Sequence, residues 1–139
     1  MKTIGKLILA LSLMPCAAIA QETGKAEGDP VAGGEIFGTY CAACHGMEAL
    51  GDGPMSPVLT LQPPGLTKLQ AEFDGTFPRG LVIARIDGRD PLVAHGSPMP
   101  VYGDFFEGKG VTIRGEDGIM IMTSQPIVDL IAWLESVQE

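Results

Sequence analysis

The segment Cys41-Ala42-Ala43-Cys44-His45 constrains this chain more than any other part of its sequence. Two cysteines separated by two residues, with a histidine directly after the second, form the signature of covalent c-type haem attachment. Each cysteine sulfur can form a thioether with one vinyl group of the haem, and the adjacent histidine can bind the iron as its proximal ligand. We therefore expect the other segments of the chain to fold around one haem.

Two other interpretations of these residues stay open at this point. A redox dithiol needs a strand before the motif within a βαβ pattern, whereas the residues before Cys41 indicate a helix. A zinc site made of Cys41, Cys44, His45 and His95 has enough ligands, but the neighbouring positions of Cys44 and His45 make tetrahedral closure awkward. The pattern favours haem over both alternatives.

The first 20 residues have the three parts of a secretory signal peptide. Lys2 and Lys6 make the start positive, Leu7 to Leu13 is apolar, and residues 18–20 read Ala-Ile-Ala, a typical cleavage site. The apolar run is shorter than a bilayer-spanning helix requires, and a retained N-terminal anchor is the alternative. We predict cleavage after residue 20 and a periplasmic location.

Cleavage would change both the cysteine content and the charge of the protein. It removes Cys16, so that Cys41 and Cys44 are the only cysteines left. It also removes two lysines, so that 7 basic residues face 17 acidic ones and the net charge becomes −10. Such an acidic protein is a poor candidate for binding nucleic acid and favours partners with basic patches. We expect no membrane span after cleavage.

Both ends of the remaining chain predict helices, after a flexible lead-in at residues 21–29. Asp29-Pro30 is a typical helix start, because Asp can cap the free amides and Pro fits the first turn. The last helix is predicted to start with a cap at Ser124 or Gln125 and with Pro126 in its first turn. One face of that helix is apolar at helical spacing, and its residues are Ile127, Leu130, Ile131, Leu134 and Val137.

The middle of the chain predicts only short elements. Four prolines exclude a long helix within residues 52–65. Short helices are predicted over residues 66–73 and 80–87. Residues 103–118 contain five glycines, and Val111-Thr112-Ile113 within them could form a brief strand.

A haem iron bound by His45 needs either a sixth ligand or an open site on its other face. We predict Met99, because its neighbours Pro98 and Pro100 fix the backbone and a thioether is a soft iron ligand. His95, a stronger iron ligand in the same loop, is the second choice, and an open or different site is the third. Methionine is usually core filler, and we expect that of most of the others, which are Met47, Met55, Met120 and Met122. Met120 and Met122 follow a pattern typical of packing, although either is an alternative to Met99 as the ligand.

Two further contacts are expected around the haem. The ring N–H of His45 that does not face the iron should donate to a backbone carbonyl, for which Gly53 and Pro54 are the candidates. The haem propionates need donors, and the nearest cations in sequence are Arg79, Arg85 and Arg89.

These residues resemble the monohaem class I cytochrome c family over nearly the whole chain after residue 20. The resemblance is carried by Gly34-x-x-Phe37-x-x-x-Cys41, Cys41-Ala-Ala-Cys-His45-Gly46, Gly51-Asp-Gly-Pro54, Met99-Pro100 and Trp133 in the closing helix. It implies an all-α, small cytochrome c fold over residues 30–139, in which several short helices wrap around one covalent haem. It also implies that the first and last helices cross with Gly34 facing Trp133. The stretch from Gly103 to Thr123 departs from the family pattern.

The resemblance assigns the thioethers to Cys41 and Cys44, the proximal ligand to His45 and the distal ligand to Met99. It implies one haem c with its iron and a periplasmic electron carrier, not an enzyme, that acts as a monomer or as a subunit of a complex. The partners would be redox proteins with basic patches. The alternatives are a dedicated cytochrome subunit of a periplasmic oxidoreductase and a gas-binding or sensing haem protein with an open or displaceable sixth site.

Overall fold

Helices form most of the regular structure of this protein. The computed structural model describes residues 27–89, 99–103, 105–106 and 108–139. The predicted signal peptide, most of the predicted lead-in and His95 lie outside these residues. The elements of the described part are α1 (Pro30–Tyr40), α2 (Ala42–His45), a 3-10 turn (Ser56–Val58), α3 (Leu69–Glu72), α4 (Arg79–Asp87), β1 (Gly110–Arg114), β2 (Met120–Ser124) and α5 (Gln125–Ser136).

Helix α1 starts where the sequence predicts it. Pro30 is its first residue, and the carboxylate of Asp29 accepts hydrogen bonds from the amides of Val31 (2.9 Å) and Ala32 (3.4 Å). This cap satisfies two of the amides that a helix start leaves without partners. The prediction of an Asp29 cap followed by Pro30 is confirmed.

Helices α1 and α5 pack closely against each other. A Cβ atom on Gly33 would lie 2.0 Å from the carbonyl oxygen of Asp129, so the two backbones meet at this glycine. The predicted contact of Gly34 with Trp133 is confirmed, since a Cβ on Gly34 would lie 2.9 Å from indole Cδ1. The Trp133 ring also stacks on Phe37, with ring centroids 4.2 Å apart. The glycine pair therefore permits close approach rather than merely weakening α1.

Helix α5 buries one apolar face, and the buried residues are Ile127, Val128, Leu130, Ile131 and Leu134. Val137, the last residue of the predicted face, is half-buried and follows the helix. Ser124 stands at the N-cap position, but its side chain makes no capping hydrogen bond. The Gln125 amide donates instead to the carbonyl of Lys109 (3.1 Å), so the segment before β1 satisfies the first amide of α5.

Helix α3 is shorter than predicted. It begins at Leu69 rather than at residue 66, because the carbonyls before it accept hydrogen bonds from the C-terminal residues. The Leu66 carbonyl accepts from the Gln138 side chain (2.8 Å), and the Thr67 carbonyl accepts from the Glu139 amide (2.8 Å). Helix α4 starts at Arg79, one residue earlier than predicted.

The expectation of an all-α fold is corrected by an antiparallel hairpin of β1 and β2. Ile113 pairs with Ile121 and Thr112 pairs with Met122. Only residues 111–113 had a strand prediction, so the second strand was missed. Met120 and Met122 point outward and are 54% and 74% exposed, so the interpretation of these two methionines as core filler is wrong.

The hairpin turn supports the start of α4. The N-cap residue of α4 is Pro78, whose side chain makes no capping hydrogen bond. The Glu116 carboxylate in the hairpin turn accepts from the Gly80 amide instead, at 3.0 Å. Arg79 in the same first turn pairs with Glu135 of α5, with 2.9 Å between Nη2 and Oε2. These contacts connect the hairpin, α4 and α5.

None of the helices in the described ranges is long and apolar enough to cross a membrane.

Candidate haem site

The haem-attachment motif forms the turn that follows α1. The Cys41 amide donates to the Phe37 carbonyl (2.9 Å), so the turn continues directly from α1. Helix α2 is a single turn, and the His45 amide donates to the Cys41 carbonyl (2.9 Å). His45 is buried, and both cysteines are partly buried. Local helical geometry thus carries the three chemically active side chains into the interior together.

A glycine-rich loop holds this turn from outside. The Gly53 amide donates to the Cys44 carbonyl (3.1 Å), and the Gly51 amide donates to the His45 carbonyl (2.7 Å). A Cβ on Gly53 would lie 2.6 Å from the carbonyl oxygen of Ala42, so only glycine permits this approach. The loop therefore fixes the backbone of the motif through these hydrogen bonds and this close contact.

The ring of His45 is oriented by a carbonyl that the sequence did not predict. Nδ1 lies 3.0 Å from the carbonyl oxygen of Pro64. Since a carbonyl only accepts, Nδ1 carries the proton and donates it, and the Nε2 lone pair is left for a metal. The predicted partners, Gly53 and Pro54, are wrong, because the Gly53 backbone approaches the motif as a donor to Cys44.

The three motif side chains line one cavity of about 430 Å³. This volume lies in the range of pockets that enclose small-molecule cofactors, ~300–1,000 Å³. The walls are mainly apolar, and helices α1, α3, α4 and α5 all contribute to them. The helical lining residues are Phe37, Tyr40, Leu69, Leu81, Val82, Arg85, Ile86, Leu130 and Leu134. The lining residues outside helices are Leu59, Leu61, Gln62, Pro63, Pro64, Leu66, Met99, Pro100, Tyr102 and Phe106.

Met99 lines the same cavity as His45 and the two cysteines. It is partly buried and packs against the hydrophobic core. The other methionines after the motif have exposed side chains and do not line this cavity, and they are Met47, Met55, Met120 and Met122. The expectation that most of these methionines fill the core is therefore wrong. Among the methionines of the described residues, Met99 is the one that lines the cavity shared with the motif.

The three arginines proposed as propionate donors have different environments. Arg79 donates to Glu135, and this hydrogen bond raises the pKa of its guanidinium. Arg89 donates to Asp87, with 2.7 Å between Nε and Oδ2, and this hydrogen bond likewise raises its pKa. Arg85 lines the cavity. Of these three arginines, Arg85 is the one that lines the cavity and so lies nearest to a group bound there.

Burial, with a smaller effect of the neighbouring Cys44, raises the pKa of the Cys41 thiol to about 11. The Cys41 sulfur is thus partly shielded from water beside the apolar walls of the cavity. Among the described residues, no three His, Cys, Asp or Glu side chains form a cluster that could hold a metal ion. The donor set fits a haem held through two sulfurs and one imidazole.

The fold and the site together define a small, mostly helical haem-binding domain. The family model described as Cytochrome c matches residues 30–138 of the sequence. The chain therefore belongs to the cytochrome c family. Membership implies covalently bound haem c with its iron, redox partners, and haem-based electron transfer as the general activity of the family. No curated protein and no solved structure matches the chain.

Proposed function

We propose that this protein is a periplasmic one-electron carrier with His/Met ligation of a single haem c. In this proposal Cys41 and Cys44 attach the haem, His45 binds the iron on the proximal side, and Met99 binds it on the distal side. The observation that carries the proposal is that these four side chains line one cavity although Met99 is 54 positions from His45 in the sequence.

Each residue has a distinct task. The bound haem supplies an iron that accepts and releases one electron. His45 is held in the tautomer that presents Nε2 to a metal, because its Nδ1–H donates to the Pro64 carbonyl. Met99 offers a neutral thioether, which favours the ferrous state and raises the reduction potential. The apolar walls exclude water and favour the same state.

The test is the substitution Met99→Ala in the haem-loaded protein. It should abolish the weak far-red absorption band of methionine-ligated ferric haem and lower the reduction potential, since axial ligands set haem potentials over ~0.8 V. Met47→Ala is the matched control, because Met47 is exposed and does not line the cavity. The control should leave both properties unchanged.

His95→Ala decides the second choice of distal ligand. His95 lies outside the described residues, so its assignment rests on the sequence alone. If the native ferric protein lacks the far-red band, and if His95→Ala changes the reduction potential while Met99→Ala does not, the assignment of Met99 is wrong. Rapid binding of carbon monoxide by the native ferrous protein at neutral pH would favour a displaceable sixth site and a gas-binding role.

The outer face of the hairpin supports a second candidate, a dedicated cytochrome subunit of a periplasmic oxidoreductase. Ile119, Met120 and Met122 are 64%, 54% and 74% exposed, an unusual group of large apolar side chains on one small element. A free carrier should be purified as a monomer. A subunit should be retained in a larger complex from the periplasmic fraction, and Met122→Glu should release it.

A further inference from the structure

Tyr102 joins three parts of the protein just after the predicted distal ligand. Its amide donates to the Ile86 carbonyl near the end of α4 (2.8 Å). Its phenol hydroxyl donates to the backbone carbonyl of Tyr40, the last residue of α1 (3.1 Å). Its own carbonyl accepts from the amides of Phe105 (3.1 Å) and Phe106 (2.9 Å). The loop that contains Met99 is thus attached both to α4 and to the end of α1.

The hydrogen bond to Tyr40 bears directly on the haem site. Tyr40 immediately precedes Cys41, so its carbonyl belongs to the backbone that carries the attachment motif. Carbonyls in the last turn of a helix have no intrahelical partner, and the Tyr102 hydroxyl supplies one. Burial raises the pKa of this phenol above its usual range, so the hydroxyl remains a donor through neutral and mildly alkaline pH.

Aromatic packing restricts the Tyr102 ring to this position. It stacks on Phe106, with centroids 5.3 Å apart and an interplanar angle of 25°. Phe106 is buried and also meets the edge of Tyr40, with centroids 5.4 Å apart. Such pairs contribute beyond their buried area and prefer these offset and edge-on geometries. The hydroxyl therefore cannot leave the Tyr40 carbonyl without disturbing a packed aromatic group.

The backbone next to Tyr102 is closely packed as well. A Cβ on Gly103 would lie 2.4 Å from the Asp87 carbonyl oxygen, and a Cβ on Gly88 would lie 2.4 Å from Val101 Cγ1. The segment after Met99 is thus pressed against the end of α4. The side chain of Tyr102 connects this segment to the motif side of the cavity.

We infer that Tyr102 is a positioning residue for the distal ligand: its hydroxyl anchors the Met99 loop to the end of α1 and so holds the thioether at the iron. The inference rests on the proposed role of Met99. An iron–thioether bond is weak, so the backbone must hold the sulfur in place. Each time the loop moves away from the iron, the Tyr102–Tyr40 hydrogen bond is lost, and its loss by mutation favours the open arrangement.

The experiment compares Tyr102→Phe with the native haem-loaded protein in imidazole titrations of the ferric state. Imidazole binds the iron only when the distal thioether has left it. Removal of one neutral hydrogen bond should raise the apparent imidazole affinity about 2- to 12-fold, with a parallel gain in the rate of binding. The far-red band should persist without imidazole, because the thioether itself is retained.

Phe105→Leu is the matched control. It removes a ring from the same aromatic group, but Phe105 is exposed and does not line the cavity, and the Tyr102–Tyr40 hydrogen bond is kept. Native-like imidazole affinity in Phe105→Leu together with increased affinity in Tyr102→Phe supports the inference. Equal affinity in Tyr102→Phe and the native protein overturns it, and so does an equal increase in both variants, which would indicate general loosening of the aromatic group.

Met99→Ala separates this inference from the proposed function. If Met99→Ala loses the far-red band while Tyr102→Phe binds imidazole as the native protein does, only the positioning role fails. If Met99→Ala keeps the band and the native imidazole affinity, Met99 is not the ligand. That outcome overturns the proposed ligation and the positioning role together.

Discussion

At the scale of single residues, Gly33 sets how closely α1 and α5 can approach. We expect Gly33→Ala to destabilise the haem-loaded protein by about 1–3 kcal/mol or more, the cost typical of overpacking. The added methyl would meet the backbone carbonyl of Asp129, which cannot rotate away as a side chain can. Chemical denaturation followed by far-UV circular dichroism measures the change.

Gly110→Ala is the control for this substitution. Gly110 lies in β1, and a Cβ there would have nothing within 4 Å. Its substitution should change the free energy of unfolding by no more than about 0.5 kcal/mol. Similar losses in both variants would show that the close approach at Gly33 is not what makes that position sensitive.

Residue-level prediction is easiest where the signal is local or recurs in a known pattern. Cys41, Cys44 and His45 lie within five consecutive residues, and one turn of helix brings them to one cavity; their roles toward the haem stay predictions. The Gly34–Trp133 contact followed from the family resemblance. The Pro64 partner of His45 was missed, because it lies 19 residues away and depends on the path of a proline-rich loop.

At the scale of elements, α4 depends on a contact from outside its own segment. Glu116 accepts from the Gly80 amide and places a negative charge at the positive end of the helix dipole. We expect Glu116→Ala to lower the free energy of unfolding by about 0.5–2 kcal/mol, as for loss of a helix cap. Hydrogen exchange should accelerate first at the amides of α4, and calorimetry measures the overall loss.

Glu48→Ala is the control, because it removes the same side chain and charge from an exposed residue. It should leave both the melting temperature and the exchange of α4 unchanged. If the two variants lose equal stability, the effect of Glu116 is one of net charge and not of capping.

The hairpin escaped prediction for identifiable reasons. Glycines at both ends of β1 and in the turn lower strand propensity, and its second strand contains outward methionines that resemble core residues. The alternation is nevertheless present, since Ile113 is buried and Ile121 partly buried on the inner face. Helix α5 was predicted well because its apolar spacing is regular over a whole helix. The predicted helix α3 was too long, because the carbonyls of Leu66 and Thr67 accept hydrogen bonds from the C-terminal segment instead.

At the scale of the whole molecule, net charge governs encounters with partners. After the predicted cleavage the chain would carry a net charge of −10. We expect electron transfer with a basic redox protein to slow about 10-fold or more when ionic strength rises from low salt to physiological salt, since the Debye length falls to ~8 Å. Stopped-flow absorbance of the haem band measures the rate.

An acidic redox protein of similar potential is the control, and its rate should increase with salt because screening relieves repulsion. A rate with the basic partner that does not vary with ionic strength would contradict electrostatic steering. The docking surface would then be apolar, as the exposed face of the hairpin also allows.

The contact between the first and last helices also sets an order of events during maturation. The Asp29 amide donates to the Asp129 carboxylate at 2.9 Å across 100 positions of sequence, so the fold can close only after α5 has been synthesised. Contacts that distant form late, because a long loop must first be closed. Cys41 and Cys44 are synthesised well before α5, so the cavity around them cannot be complete until the last helix has been made. Haem attachment before that point would meet an open chain, and closure afterwards would shield the thioether bonds from solvent.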